Sequence, residues 1–226
     1  MKQSNLFYSA LFAMASVSAF AQINQTPVHS GGQIYVSKEK ELAATGSMYI
    51  TEAYQPAKLS NNENVMLLRY NAYQDYFEIN NPQEQSIKQL PKDKGVTVTF
   101  NSSGEAYTLA NYKTEEGNSQ LGYLNIIADG AKVKVYKRER VYLQPGKTSA
   151  NSYQSSKAAS YKKAADEYYV KIGNAPEASF FESKKDFAKL VPGKDKEVLE
   201  YIKKNNIDTE KAADLQKLAA FVETII

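Results

Sequence analysis

From Gly32 to about Gln144, apolar and polar residues alternate with period two, in runs rich in Val, Ile, Thr, Tyr and Phe. Gly, Asn, Asp and Ser clusters separate the runs. The pattern predicts strands at "GQIYVS", "GSMYITEAY", "NVMLLRYN", "YQDYFEIN", "SIKQL", "GVTVTFN", "AYTLANYK", "LGYLNIIA" and "AKVKVYKRERVYL". Two tight hairpins stand out. Asp129-Gly130 suits the positive φ angles of a type I′ turn, and Ser102-Ser103-Gly104 supplies a glycine able to turn left-handed. Strands joined by such short turns make an antiparallel sheet, with one face turned inward.

Pro145-Gly146 ends this region. Residues 146–166, rich in Ser, Ala and Lys, read as a linker whose "AASYKKAADE" half forms a short helix. Two more strands follow, "EYYVKIG" and "EASFFES", joined through Asn174-Ala175-Pro176. After Ser183 the apolar spacing becomes helical. Ser183 is placed to cap "KKDFAKLV", "DKEVLEYIKKN" gathers Val198, Leu199 and Ile202, and Asp208 or Thr209 precedes a last helix carrying Ala212, Leu215, Ala219 and Val222. Helices this short need a surface to dock on. The expected fold is α+β, an antiparallel β-sandwich or barrel-like β domain over residues 22–145. After the linker, residues 167–226 form a β-hairpin followed by a small helical C-terminal cap.

The first residues change where this fold is expected to work. "MKQSNLFYSALFAMASVSAFAQ" has the form of a signal peptide: Lys2, an apolar run from Leu6 to Val17, and Ala19-Phe20-Ala21 as a small-x-small cleavage site. Cleavage after Ala21 leaves Gln22–Ile226, with no transmembrane segment expected in the mature chain. Without cysteine there are no disulfides, and stability rests on an ordinary core. The formal net charge is +3, with lysines interleaved among acids as in "KEKE" and "GKDKEVLE". That is a solvated mixed surface, and no nucleic-acid partner is expected.

Residues for common catalytic chemistries are scarce. The single histidine, His29, lies in the polar stretch "QTPVHSGGQ". Histidine triads, histidine-rich zinc sites, P-loops and dinucleotide fingerprints are therefore not expected, and no cofactor or metal is assigned. Paired carboxylates remain possible in principle, since a glycan hydrolase needs only two acids flanking one bond. Asp75 and Glu78 are three apart and point to opposite faces of a straight strand.

Two strips compete for attention. In "VMLLRYNAYQDYFEIN", Arg69 sits on a largely apolar face, where an unpaired guanidinium is costly. Asp75 is the expected partner in a structural ion pair, with Glu78 as the fallback if the register shifts. In "AKVKVYKRERVYL", Val133, Val135, Val141 and Leu143 form a core side. The other side carries Lys132, Lys134, Tyr136, Arg138, Arg140 and Tyr142. Tyrosines interleaved with basic groups suit sugar stacking, an acidic glycan or a protein partner. Tyr136, Arg138, Arg140 and Tyr142 are the binding candidates.

The ending "AFAQ", the "LLRYNAYQDYFEI" strip, the "DGAKVKVYKRERVYL" hairpin and the tail "SKKDFAKLVPGKDKEVLEYIKKNNI" resemble a secreted and periplasmic protein family of Bacteroidota. Its members look alike in an R-Y-N-x-Y-x-D-x-x-E strip, which Arg69, Tyr70, Asn71, Tyr73, Asp75 and Glu78 match, and in a late lysine-rich helix. The resemblance brings no activity with it and implies an exported envelope protein, periplasmic or associated with the outer membrane. The expected role is a non-enzymatic binding or scaffolding module for a protein or glycan of the envelope. A two-carboxylate glycan hydrolase and a structural subunit of an outer-membrane assembly are the alternatives.

Overall fold

The computed structural model describes residues 42–147 and 155–226. The leader, His29 and the expected strand "GQIYVS" lie outside the described residues. In chain order the strands are β1 (Gln55–Leu59), β2 (Asn62–Asn71), β3 (Tyr76–Asn81), β4 (Ser86–Gln89), β5 (Thr97–Phe100), β6 (Ala106–Lys113), β7 (Ser119–Asp129), β8 (Val133–Arg138), β9 (Val141–Gln144), β10 (Ser160–Lys163), β11 (Glu167–Ile172) and β12 (Ala178–Phe181). Helices α1 (Lys184–Lys189), α2 (Asp195–Lys204) and α3 (Ala212–Ile225) follow.

Ten strands make one sheet in the order β12-β11-β8-β7-β6-β5-β1-β2-β3-β4. Strand β6 is the branch point. The N-terminal part of one edge pairs antiparallel with β5, Thr108 opposite Thr97. Further along, Tyr112 and Lys113 lie opposite Ala178 and Ser179 of β12, in parallel. Strands β6, β7, β8, β11 and β12 thereby close into a ring, and the remaining five extend from it as a wing. The α+β fold with a barrel-like sheet and a C-terminal helical cap is what the structure shows. Strands β9 and β10 form a separate ribbon, tied to the wing where the Val141 N–H donates to the Ala72 carbonyl at 3.1 Å.

Strand alternation sorts the apolar residues into three clusters. Val133, Val135, Val170 and Phe181 turn outward from the ring and meet the helices at Phe187, Val198, Ile202, Leu215, Leu218 and Val222. Leu215 and Leu218 are fully buried, and each contributes about 2 kcal/mol of apolar burial. Leu68, Tyr70, Phe77, Val98, Phe100, Tyr107 and Tyr123 pack one face of the wing. The third cluster takes residues from all five ring strands, with Tyr112, Leu124, Tyr136, Tyr169 and Ala178 at its centre.

Local chemistry explains the helix ends. Ser183 Oγ accepts the Asp186 N–H at 3.2 Å, the cap its sequence position predicts. Helix α2 carries Asp195 and Glu197 in its first turn and Lys203 and Lys204 in its last, which complements the helix dipole. Neither Asp208 nor Thr209 caps α3. Its N-cap is Lys211, whose side chain caps no helix N–H, while Asp208 Oδ1 accepts the Glu210 N–H at 3.1 Å and caps the preceding turn instead.

Three further expectations are corrected. The region expected as a helix within 146–166 contains β10, because Tyr161 and Lys162 find cross-strand partners in Leu143 and Tyr142. Strand β1 falls on "QPAKL", which Pro56 conceals, whereas "GSMYITEAY" makes only an isolated bridge from Tyr49 to Asn71. At Asp129-Gly130 the turn itself falls on Ala131 and Lys132, since the Gly130 N–H bonds the Val133 carbonyl at 2.9 Å. Gly130 is needed for room. A β carbon there would lie 2.5 Å from Glu223 Oε2, which accepts the Val133 N–H at 2.8 Å. Ser102-Ser103-Gly104 turns as expected, with Gly104 at φ 73°.

Candidate functional site

The inward faces of the ring strands carry a column of mixed aromatic and charged groups. On β8 these are Lys134, Tyr136 and Arg138; on β11 they are Glu167, Tyr169 and Lys171. The register sets Arg138 against Glu167, Tyr136 against Tyr169 and Lys134 against Lys171. Tyr169 packs edge-on to Tyr112 at 4.9 Å and to Phe180 at 5.7 Å, closing the middle of the ring. Two polar mouths are left, one at each end of the paired strands.

Arg138 and Arg140 converge on the first mouth. Arg138 Nη1 donates to Glu167 Oε2 at 3.2 Å, and its guanidinium lies 5.0 Å from the Tyr112 ring centroid. Arg140 pairs with the other oxygen of the same carboxylate. The Tyr169 hydroxyl donates to Glu167 Oε2 at 2.7 Å, and the Tyr112 hydroxyl donates to Gln120 Oε1 at 2.9 Å. Arg138, Arg140, Glu167 and Gln120, with Thr114, Glu115, Glu116 and Phe180, line a recess of about 210 Å³. Arg138 is largely covered, while Arg140 is exposed.

The four binding candidates do not share one open face. Tyr136 is buried inside the ring, Arg138 and Arg140 stand at its rim, and Tyr142 is exposed on β9. Strand β8 ends at Arg138 and pairing resumes at Val141 in the separate ribbon, so Tyr142 stands apart from Tyr136 although the alternation of buried and open positions continues. Glu167, Tyr169, Gln120 and Phe180 are not among the residues the strip in "AKVKVYKRERVYL" singles out. The alternation in "EYYVKIG" sets Glu167, Tyr169 and Lys171 on one face, the same mixed pattern as β8, and is the signal that marks them.

Arg69 is paired with Glu78, not with Asp75. Nε donates to Glu78 Oε2 at 2.8 Å, and the two residues are direct cross-strand partners. The guanidinium is sandwiched between the rings of Tyr49 and Tyr54, at 3.7 and 4.3 Å from their centroids. Glu78 also accepts the hydroxyls of Tyr49 and Tyr54, each at 2.9 Å. Asp75 instead occupies the β2–β3 turn at φ 57°. Its carboxylate takes Lys92 and the Tyr70 hydroxyl, each at 2.8 Å, and the Tyr123 N–H at 3.1 Å. These groups are saturated by one another, which marks the strip as structural.

Glu139 is the second buried carboxylate. It accepts the Tyr107 hydroxyl at 2.6 Å and pairs with Lys137 at 3.2 Å and Lys163 at 3.3 Å. Burial pushes both Glu78 and Glu139 upward, yet their hydrogen bonds and cations outweigh it and hold both below the usual carboxylate range. A general acid for sugar cleavage needs the opposite shift. Among the described residues, no helix is long and apolar enough to cross a membrane. Comparison with family models, curated proteins and solved structures found no match to this chain.

Proposed function

We propose that this chain is an exported, non-enzymatic binding module of the cell envelope, which holds a glycan at the Arg138–Arg140 mouth of its ring. One observation carries the reading: two guanidinium groups, the carboxylates of Glu115, Glu116 and Glu167, an amide and an aromatic ring border a single recess. Sugar hydroxyls both donate and accept. Arginine supplies paired donors, Glu167 and Gln120 supply acceptor oxygens, and Phe180 offers an apolar ring for the C–H face of a sugar. The leader-like N-terminus and the resemblance to exported Bacteroidota proteins support the location.

Glycan-array binding of the full chain tests this, with Arg140→Ala and Phe180→Ala as variants. Arg140 is exposed and its side chain pairs with Glu167 alone among the described residues, so its loss lowers the melting temperature by no more than about 4 °C, as expected for a surface pair. The expected result is binding to specific glycans that falls at least fivefold in Arg140→Ala. Glycan binding that survives both substitutions unchanged places the contact elsewhere. Absence of glycan binding, with a purified envelope protein captured in an Arg140-dependent way, replaces the sugar with a protein partner.

A further inference from the structure

The second mouth of the ring has a different chemistry. Its lining includes Lys94 from the loop before β5, Lys134 on β8 and Lys171 on β11, with the hydroxyl-bearing Thr97, Thr108 and Tyr136 between them. The cavity measures about 360 Å³. Lys134 is paired with Asp129, but Lys94 and Lys171 have no carboxylate partner among the described residues. Three lysines and one carboxylate therefore border the cavity.

Two features make this more than a scatter of surface lysines. Lys134 and Lys171 are direct partners across β8 and β11, and like charges directly opposed in a sheet are destabilising. Asp129 relieves only one of them. In addition, Tyr136 is 5% exposed, and its hydroxyl makes no hydrogen bond among the described residues. Burial and the nearby Asp129 carboxylate push that phenol up to about 12, so it stays protonated and able to donate at neutral pH. An uncompensated cation pair and the unpaired hydroxyl of an otherwise buried tyrosine border one cavity. An anion placed there answers both.

We propose that this mouth binds an acidic monosaccharide, a sugar ring bearing a carboxylate or phosphate, with its charge between Lys94 and Lys171 and an oxygen on the Tyr136 hydroxyl. The threonine hydroxyls of β5 and β6 then face the neutral part of the ring. The site is at the opposite end of β8 from Arg138 and does not depend on the glycan reading given above.

Calorimetric titration of the full chain with glucuronate, glucose 6-phosphate, glucose and inorganic phosphate tests the assignment. Saturable binding of glucuronate or glucose 6-phosphate is expected, weakening as salt is raised, with no measurable heat from glucose. The two acidic sugars distinguish a carboxylate from a phosphate. Lys171→Gln and Tyr136→Phe each weaken binding about tenfold, the loss expected for one hydrogen bond to a charged group. Lys171→Gln also leaves the melting temperature of the free protein equal or higher, because it removes the opposed charge. No binding of either acidic sugar, equal binding of glucose, binding of inorganic phosphate alone, or an affinity unaltered in Lys171→Gln would each overturn the proposal.

Discussion

A β carbon on Gly122 would lie 2.9 Å from Asp75 Oδ2 and 3.3 Å from the Tyr112 ring. The carboxylate has little room to retreat, since Lys92, Tyr70 and the Tyr123 N–H all hold it. Gly122→Ala should cost about 1–3 kcal/mol in urea unfolding, as overpacking of a filled site does. Truncating Arg69 should cost roughly 3 kcal/mol by leaving Glu78 without its cation; a loss under about 1 kcal/mol would mean the tyrosine hydroxyls suffice. Glu78 and Glu139 also fix an acid limit. Their folded values lie below the ordinary 4.5, so the unfolded chain takes up protons first as pH falls. The stability they contribute is complete above about pH 4.5 and is lost as pH drops through the folded values. Melting curves from pH 7 to pH 3 should show that decline, and Glu78→Gln should flatten it; an equal slope in the variant removes the assignment. Arg69 was legible in the sequence as a residue in need of a partner. Its partner depended on where the β2–β3 turn fell, and one left-handed residue, Asp75, decided that.

At the scale of elements, the alternating runs read well because each strand buries one face. Strand β1 did not, because Pro56 lacks the N–H that the usual pattern assumes. Strand β10 did not either, because an Ala- and Lys-rich stretch favours helix until a cross-strand partner outbids its local preference. Helix α3 was visible from its spacing, but its anchoring was not. Glu223 accepts the Lys132 and Val133 N–H groups at 2.7 and 2.8 Å, fastening the helix end to the β7–β8 turn. Leu218→Ala in the fully buried face of α3 should cost about 2–5 kcal/mol. Glu223→Ala should cost less and act locally, seen as faster hydrogen exchange at Lys132 and Val133 with little change elsewhere. Uniform acceleration across the sheet would show that the contact holds the whole element.

For the molecule as a whole, ring and wing differ in how many neighbours protect them. Strand β4 is the last in the sheet, with one partner, whereas β7, β8 and β11 are paired on both edges. Amides of Ser86–Gln89 should therefore exchange well before those of Val133–Arg138. The reverse order would contradict the strand order described here. The column of charged and aromatic side chains inside the ring was only half legible. The sequence shows that Tyr136 and Arg138 share a face, but the inward sense of that face comes from β12 returning to β6, a contact between distant segments that no local pattern encodes.

That return has a consequence for synthesis. Tyr112 waits for Ala178, more than sixty residues later in the chain, before its strand is complete on that side. Until β12 has emerged, a growing chain holds an arc with two raw margins, each able to recruit a neighbour's backbone. A fragment ending at Ile172 should therefore precipitate or self-associate while the full chain stays monodisperse, so the last strand acts as the chain's own safeguard against sticking to its copies.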